Sequence, residues 1–146
     1  MIGTDMEKEE QGKNHLVLIV EDDQFINTAY SSKFKHEGIT AEIATDGEAA
    51  LARLGDAGKK LPSLILLDIM LPKKNGFEVL ETVKGDPRMK KIPVLILSNL
   101  SQDADRVRGM ELGASEYIVK SEQKIESLVT KVKRYLSEEK SSGELA

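Results

Sequence analysis

Four apolar runs in this chain end on side chains that could do chemistry. Leu16–Val20 ends on Glu21 and Asp22, Leu64–Leu67 on Asp68, Val94–Leu97 on Ser98, and the short run Glu116–Val119 on Lys120. Brought together, three carboxylates repel and raise one another's proton affinity unless a cation is present. All-oxygen ligation suits a hard divalent ion such as Mg²⁺, which keeps waters and takes substrate phosphate into its octahedron. Such an ion also cancels the repulsion that an acidic pocket presents to a phosphate dianion. Ser98 and Lys120 would then hold phosphoryl oxygens by hydrogen bond and charge. Asp68 is left as a nucleophile that forms an aspartyl phosphate.

These residues meet only if the apolar runs are neighbouring strands that end on the same side. Leu16–Val20, Leu64–Leu67 and Val94–Leu97 are continuous runs of branched residues, the pattern of strands buried on both faces of a parallel sheet. Thr40–Ala44 alternates polar and apolar, as an exposed edge strand does. Helices are predicted over about Gln24–Glu37, Asp46–Gly55, Phe77–Lys84, Ser101–Leu112 and Glu122–Glu138. In the first, Asp23 is the cap, Gly38 the stop, and Phe25, Ile26, Ala29, Tyr30 and Phe34 lie on or beside the buried stripe. In the last, Ile125, Leu128, Val129, Val132 and Leu136 recur at helical spacing and are core. Strand and helix alternate five times, so the class is α/β with a parallel sheet, whose ligands bind at the carboxyl ends of its strands.

The remaining features narrow the function classes. At 146 residues one domain is expected. A net charge of -4 gives no electrostatic reason to expect nucleic acid, whose phosphates call for a basic face. Cysteine is absent, which removes thiol and disulfide chemistry. Residues 1–14 are charged, lack a signal-peptide core and read as a flexible extension; residues 140–146 read as a polar tail. No apolar run approaches a membrane span, and a cytoplasmic location is expected.

The stretches Val-Glu-Asp-Asp after the first strand, Leu-Leu-Asp-Ile-Met-Leu-Pro at the third, Leu-Ser-Asn after the fourth and Tyr-Ile-Val-Lys at the fifth resemble the receiver domain of two-component response regulators. The resemblance covers about His15 to Ser137, with the domain spanning residues 15–139. It implies a flavodoxin-like (βα)5 doubly wound sandwich whose five parallel strands are ordered 2-1-3-4-5. It implies that Asp68 accepts a phosphoryl group from the phosphohistidine of a sensor histidine kinase, or exchanges it with a histidine phosphotransfer protein. Glu21, Asp22, Asp68 and the backbone carbonyl of Met70 would hold Mg²⁺. Ser98 would be the switch hydroxyl, Lys120 the phosphate-binding cation and Tyr117 the aromatic switch residue. These would couple the site to a target-binding surface made by the fourth helix, fifth strand and fifth helix. On this reading the protein is a signalling phosphoacceptor, not an enzyme acting on a separate substrate.

The chain departs from the family pattern at two positions. Glu21 stands where Asp is commoner, and its extra methylene suits a water-mediated metal contact. Ser121 stands where proline commonly follows the lysine, so the Lys120–Ser121 bond is expected trans, with Ser121 capping the last helix. Met70 and Leu100, which flank the approach of water to the phosphoryl group in the resemblance, are apolar and predict slow self-dephosphorylation. An aspartate-nucleophile phosphatase would carry a second Asp two residues after the nucleophile, where Met70 stands and cannot transfer a proton. A flavin or nucleotide binder on this fold needs a Gly-, Ser- or Thr-rich phosphate loop after the first strand, and Glu21-Asp22-Asp23 is the opposite chemistry. A pseudo-receiver that binds partners without phosphorylation would not need every reactive position filled.

Overall fold

The computed structural model describes residues 15–145, with side chains through residue 137; the extension at residues 1–14 lies outside the described residues. The strands are β1 (Leu16–Val20), β2 (Thr40–Ala44), β3 (Leu64–Leu67), β4 (Val94–Ser98) and β5 (Glu116–Val119). The helices between and after them are α1 (Gln24–His36), α2 (Gly47–Leu54), α3 (Gly76–Gly85), α4 (Asp103–Glu111) and α5 (Ile125–Leu145). All strand pairs are parallel, and the order is β2-β1-β3-β4-β5. The chain runs from β1 outward to β2, then crosses back to lay β3 on the other flank of β1. The crevice between the C-terminal ends of β1 and β3 is therefore where side chains meet over the sheet edge.

Alternation along the strands divides the interior into two layers. Val17, Ile19, Leu64, Leu66, Leu95, Leu97 and Ile118 pack with Phe34 of α1 and with Leu128, Val129, Val132 and Leu136 of α5. Leu18, Val20, Ile65, Leu67, Ile96 and Val119 face the other way, onto Ala50 and Leu54 of α2 and Val79, Leu80 and Val83 of α3. Helices on both faces explain why β1, β3 and β4 are buried throughout, whereas the edge strand β2 alone is largely open.

Among the described residues, the starts of α1, α2 and α3 carry side-chain caps. The Asp23 carboxylate accepts from the N–H groups of Phe25 and Ile26, Asp46 from Ala49, and Asn75 from Glu78. The structure corrects several sequence expectations. Phe25 is 89% exposed and Ala29 is also exposed, because the inward stripe of α1 runs through Asn27 and Phe34. At the helical repeat, Phe25 and Ala29 each point about 200° away from Asn27. Lys120–Glu122 is a 3₁₀ turn, so α5 begins at Ile125 and Ser121 lies in that turn rather than at its cap. The helix then runs past Glu138, and the stretch read as a polar tail is helical backbone to Leu145. No proline interrupts the stretch. No peptide bond among the described residues is cis, so Lys120–Ser121 is trans as expected.

Candidate functional site

The sheet's hydrogen bonding runs one residue beyond β1 and β3, which fixes the first polar residue on each. Glu21 N–H donates to the Ala44 carbonyl at 3.0 Å, and Asp68 N–H donates to the Val20 carbonyl at 3.0 Å. From the other side, the buried Asn27 amide of α1 donates to the Glu21 carbonyl at 2.8 Å. Glu21 and Asp68 thus lie side by side on a rigid edge, only 3% and 6% exposed.

Lys120, delivered by the end of β5, bridges them. Its ammonium donates to Asp68 Oδ2 at 3.0 Å and to Glu21 Oε1. Asp68 Oδ1 accepts from the N–H groups of Ile69 at 2.7 Å and Met70 at 3.3 Å, and Glu21 Oε2 accepts from Asp22 N–H at 3.1 Å. Burial pushes the Glu21 carboxyl up to about 7, with Asp68 adding to the rise and Lys120 opposing it. Burial alone would depress Lys120, but its bonds to Glu21 and Asp68 outweigh that and hold it above the usual lysine value. Asp22 is exposed at the rim, and one carboxylate oxygen from each of Glu21, Asp22 and Asp68 falls within 4.8 Å of the others. Three oxygen donors at that spacing, two of them buried as charges that want compensation, fit a hard divalent cation.

The loop after β3 needs glycine to lie where it does. A Cβ on Gly76 would stand 2.2 Å from the Asp68 carbonyl oxygen, and one on Gly47 would stand 2.0 Å from that of Lys74. The close packing presses α3, and the start of α2, onto the backbone of the site. Lys73 takes a left-handed φ of 68° at the tip of this loop.

Ser98 and Tyr117 form a second group, joined to one another through Leu100. Ser98 is fully buried, and its Oγ accepts from Leu100 N–H at 3.3 Å. The Tyr117 hydroxyl donates to the Leu100 carbonyl at 2.6 Å. Burial, with Asp105 nearby, raises the Tyr117 hydroxyl above its ordinary value against a smaller opposing effect of Ser98. Of the residues singled out in the sequence, Glu21, Asp68 and Lys120 are in direct contact, Asp22 is adjacent, and Ser98 and Tyr117 share Leu100.

Sequence reasoning passed over four contributors. Asn27 was invisible because a lone polar residue in a helix reads as surface. Tyr30, placed on or beside the buried stripe of α1 by the sequence, packs on the core as expected and in addition lines a small cavity with Glu21, Asp68, Lys120 and the apolar Ile19, Leu66 and Leu97. Arg106 of α4 lies 5.5 Å from the Tyr117 ring centroid and donates to the Tyr117 carbonyl at 3.3 Å. Gly76 read only as a turn residue.

Comparison with known proteins agrees with this geometry. The model of the response regulator receiver domain family matches residues 17–133. The transcriptional regulatory protein CpxR of Klebsiella pneumoniae is 38% identical over 104 residues, covering 71% of this chain and 42% of that protein. The response regulator PleD of Caulobacter vibrioides is 36% identical over 104 residues, which is 22% of its length. The chain therefore spans less than half the length of these curated relatives. Among solved structures, a CheY-like receiver domain protein of Methanospirillum hungatei superposes with a TM-score of 0.79 at 26% identity, over 88% of this chain and 98% of that one. The Mn²⁺-bound form of response regulator Rcp1 does so with a TM-score of 0.71 at 34% identity, over 75% and 83%. Fold, edge chemistry and sequence converge: this chain belongs to the response regulator receiver domain family, the phosphoacceptor module of two-component signal transduction.

Proposed function

We propose that Asp68 is the phosphoacceptor and that its phosphorylation, with Mg²⁺, switches a protein-binding surface. The observation that carries this reading is the Lys120 ammonium bonded to both Asp68 and Glu21, with the Asp22 carboxylate within 4.8 Å of theirs. An Asp68 carboxylate oxygen attacks phosphorus as the P–N bond of a phosphohistidine breaks, and the electron pair leaves with the imidazole nitrogen. Glu21, Asp22, Asp68 and the Met70 carbonyl would hold the ion, the carboxylate oxygens lying within 4.8 Å of one another, and a Mn²⁺-bound response regulator of the same fold supports a divalent cation in such a protein. Bound there, Mg²⁺ neutralises charge between the carboxylates and the incoming phosphate. Lys120 stays with the phosphoryl oxygens once Asp68 has given up its own charge, and the Ser98 hydroxyl turns from Leu100 to reach them.

Because Ser98 and Tyr117 share Leu100, a shift of the Ser98 hydroxyl is felt at Tyr117 and so at α4 and β5. The exposed Val107 and Met110 on α4 extend that face and suit a downstream target. The donor is a sensor histidine kinase or a histidine phosphotransfer protein. No helix among the described residues is long and apolar enough to cross a membrane, in keeping with a cytoplasmic regulator. Intact-mass measurement after incubation with acetyl phosphate tests the assignment. One phosphate should appear on the wild type with Mg²⁺ and none without it, and none on Asp68→Asn. One equivalent on the mutant would overturn it.

A further inference from the structure

The end of the sheet opposite Asp68 holds a charge pattern that the net charge hides. The loop from α2 into β3, residues 55–63, and the stretch from the end of α3 into β4, residues 84–93, carry Lys59, Lys60, Lys84, Arg88, Lys90 and Lys91 against Asp56 and Asp86 alone. That is a net +4 within a chain of net -4. β3 and β4 are neighbours, so the two loops lie side by side, with Ile65 N–H donating to the Pro93 carbonyl at 3.0 Å. Arg88 reaches across to the Leu54 carbonyl at the end of α2 at 3.0 Å. Lys84 ties down its own loop by donating to the Lys90 carbonyl at 3.0 Å and the Ile92 carbonyl at 2.7 Å. Buried Met89 and Ile92, with half-buried Leu61, seat both loops on the same core layer.

Lys84 and Arg88 are thus occupied in holding the loops together. Lys59, Lys90 and Lys91 are not: all three are exposed, and among the described residues no ion pair engages their ammonium groups. Nor do the nearby acids serve them. Asp56 and Asp86 turn to their own loops, accepting from Gly58 N–H at 3.0 Å and Arg88 N–H at 2.8 Å. Glu37 and Glu116, at the same end of the sheet, are paired with Lys133 and Lys131, each at 3.0 Å.

We propose that this basic end is a docking surface for an acidic segment of a partner protein, one rich in Asp and Glu. Charge complementarity carries the proposal, and the kind of charge selects the partner. The three open cations are lysines, compact point charges and not the planar guanidinium forks that grip phosphate in pairs. The two loops carry no aromatic ring on which a base could stack. None of the exposed large apolar side chains lies on them, so nothing there would enter a lipid surface. Because the loops are already braced, binding costs little ordering on this side. The length of β3, about 13 Å, separates the surface from Asp68, so a docked segment leaves the phosphorylation edge open.

Fluorescence anisotropy of a labelled peptide alternating glutamate and serine, titrated with the full chain, tests this. The peptide should bind wild type, and its glutamine counterpart should not. Lys59→Gln, Lys90→Gln and Lys91→Gln together remove only exposed charges and should weaken binding about tenfold, as should raising the salt from about 0.05 M to about 0.5 M. The same triple variant should take up phosphate from acetyl phosphate at the wild-type rate, and Asp68→Asn should bind the peptide as the wild type does. Peptide affinity unchanged in the lysine variant, or lost in Asp68→Asn, would overturn the proposal. Tighter binding of a single-stranded oligonucleotide of equal charge, or of phosphatidylserine vesicles, than of the peptide would overturn it as well.

Discussion

The Tyr117 hydroxyl of β5 donates to the Leu100 carbonyl at 2.6 Å, and the Leu100 N–H in turn donates to the Ser98 hydroxyl oxygen at 3.3 Å. One residue of the β4–α4 loop therefore carries both the serine next to the site and the tyrosine under α4. Tyr117→Phe deletes one end of this chain and leaves the half-buried Leu100 carbonyl without its donor. A loss of about 1 kcal/mol in urea unfolding is expected. Phosphorylation of Asp68 should persist in this variant, whereas phosphorylation-dependent chemical-shift changes in α4 should shrink. Shifts in α4 as large as in the wild type would place the coupling elsewhere.

On the proposed function, shielding by Met70 and Leu100 is expected to prolong the phosphorylated state. Met70 is 62% exposed beside Asp68, while Leu100 is half-buried against the core on the α2–α4 side. Neither side chain can orient an attacking water. Met70→Asn should speed phosphate release several-fold with little change in stability. Leu100→Glu should speed it too, but at a cost in stability, because a charge replaces a side chain packed on the core. Radiolabel loss from purified phosphoprotein measures both, and rates unchanged or slowed would rule out shielding.

Gly76→Ala forces a methyl group to within 2.2 Å of the Asp68 carbonyl oxygen unless the backbone moves. Destabilisation of about 1–3 kcal/mol is expected from overpacking of this kind. The displaced loop carries the Met70 carbonyl, so Mg²⁺ affinity should fall together with stability. Calorimetry alongside urea unfolding checks the pairing of the two losses.

At the far end of β5, Glu116 accepts from the Tyr135 hydroxyl at 2.7 Å and from Lys131 at 3.0 Å, with Arg134 at 3.5 Å. Burial alone would raise this carboxyl, but the Tyr135 and Lys131 bonds outweigh it and hold the group below its usual 4.5. A depressed carboxylate stabilises the fold above its unfolded value, and that contribution is lost as pH falls through the folded one. Glu116→Gln should cost about 0.5–1 kcal/mol near neutral pH, given its partial exposure. The gap between variant and wild type should close as the pH drops below 4.5. A gap that stays constant into acid would mean that the carboxylate's charge contributes nothing.

How much of this was legible beforehand depends on which residues carried it. Leu16–Val20, Leu64–Leu67 and Val94–Ser98 announce buried parallel strands because a strand covered by helices on both faces must be apolar at every position, and that is a property of local sequence. Since a buried strand cannot hold a charge, Glu21, Asp68 and Lys120 had to fall at strand ends, and parallel strands share one such end. The register of α1 was not legible. Phe25 and Asn27 are both compatible with a helix there, and only packing against β1 decides that the amide turns in and the ring turns out. The residues after Lys120 are not legible either: Ser121 is a good cap in isolation, but a 3₁₀ turn precedes α5, and the helix meets the sheet from Leu128 and Val129 onward, with Ile125, expected in the core, only half-buried. Which carboxylate Lys120 would choose was also hidden in the sequence. The answer, both Glu21 and Asp68, follows from a sheet that fixes two backbones side by side and buries the charges between them, so that pairing replaces the water each has lost.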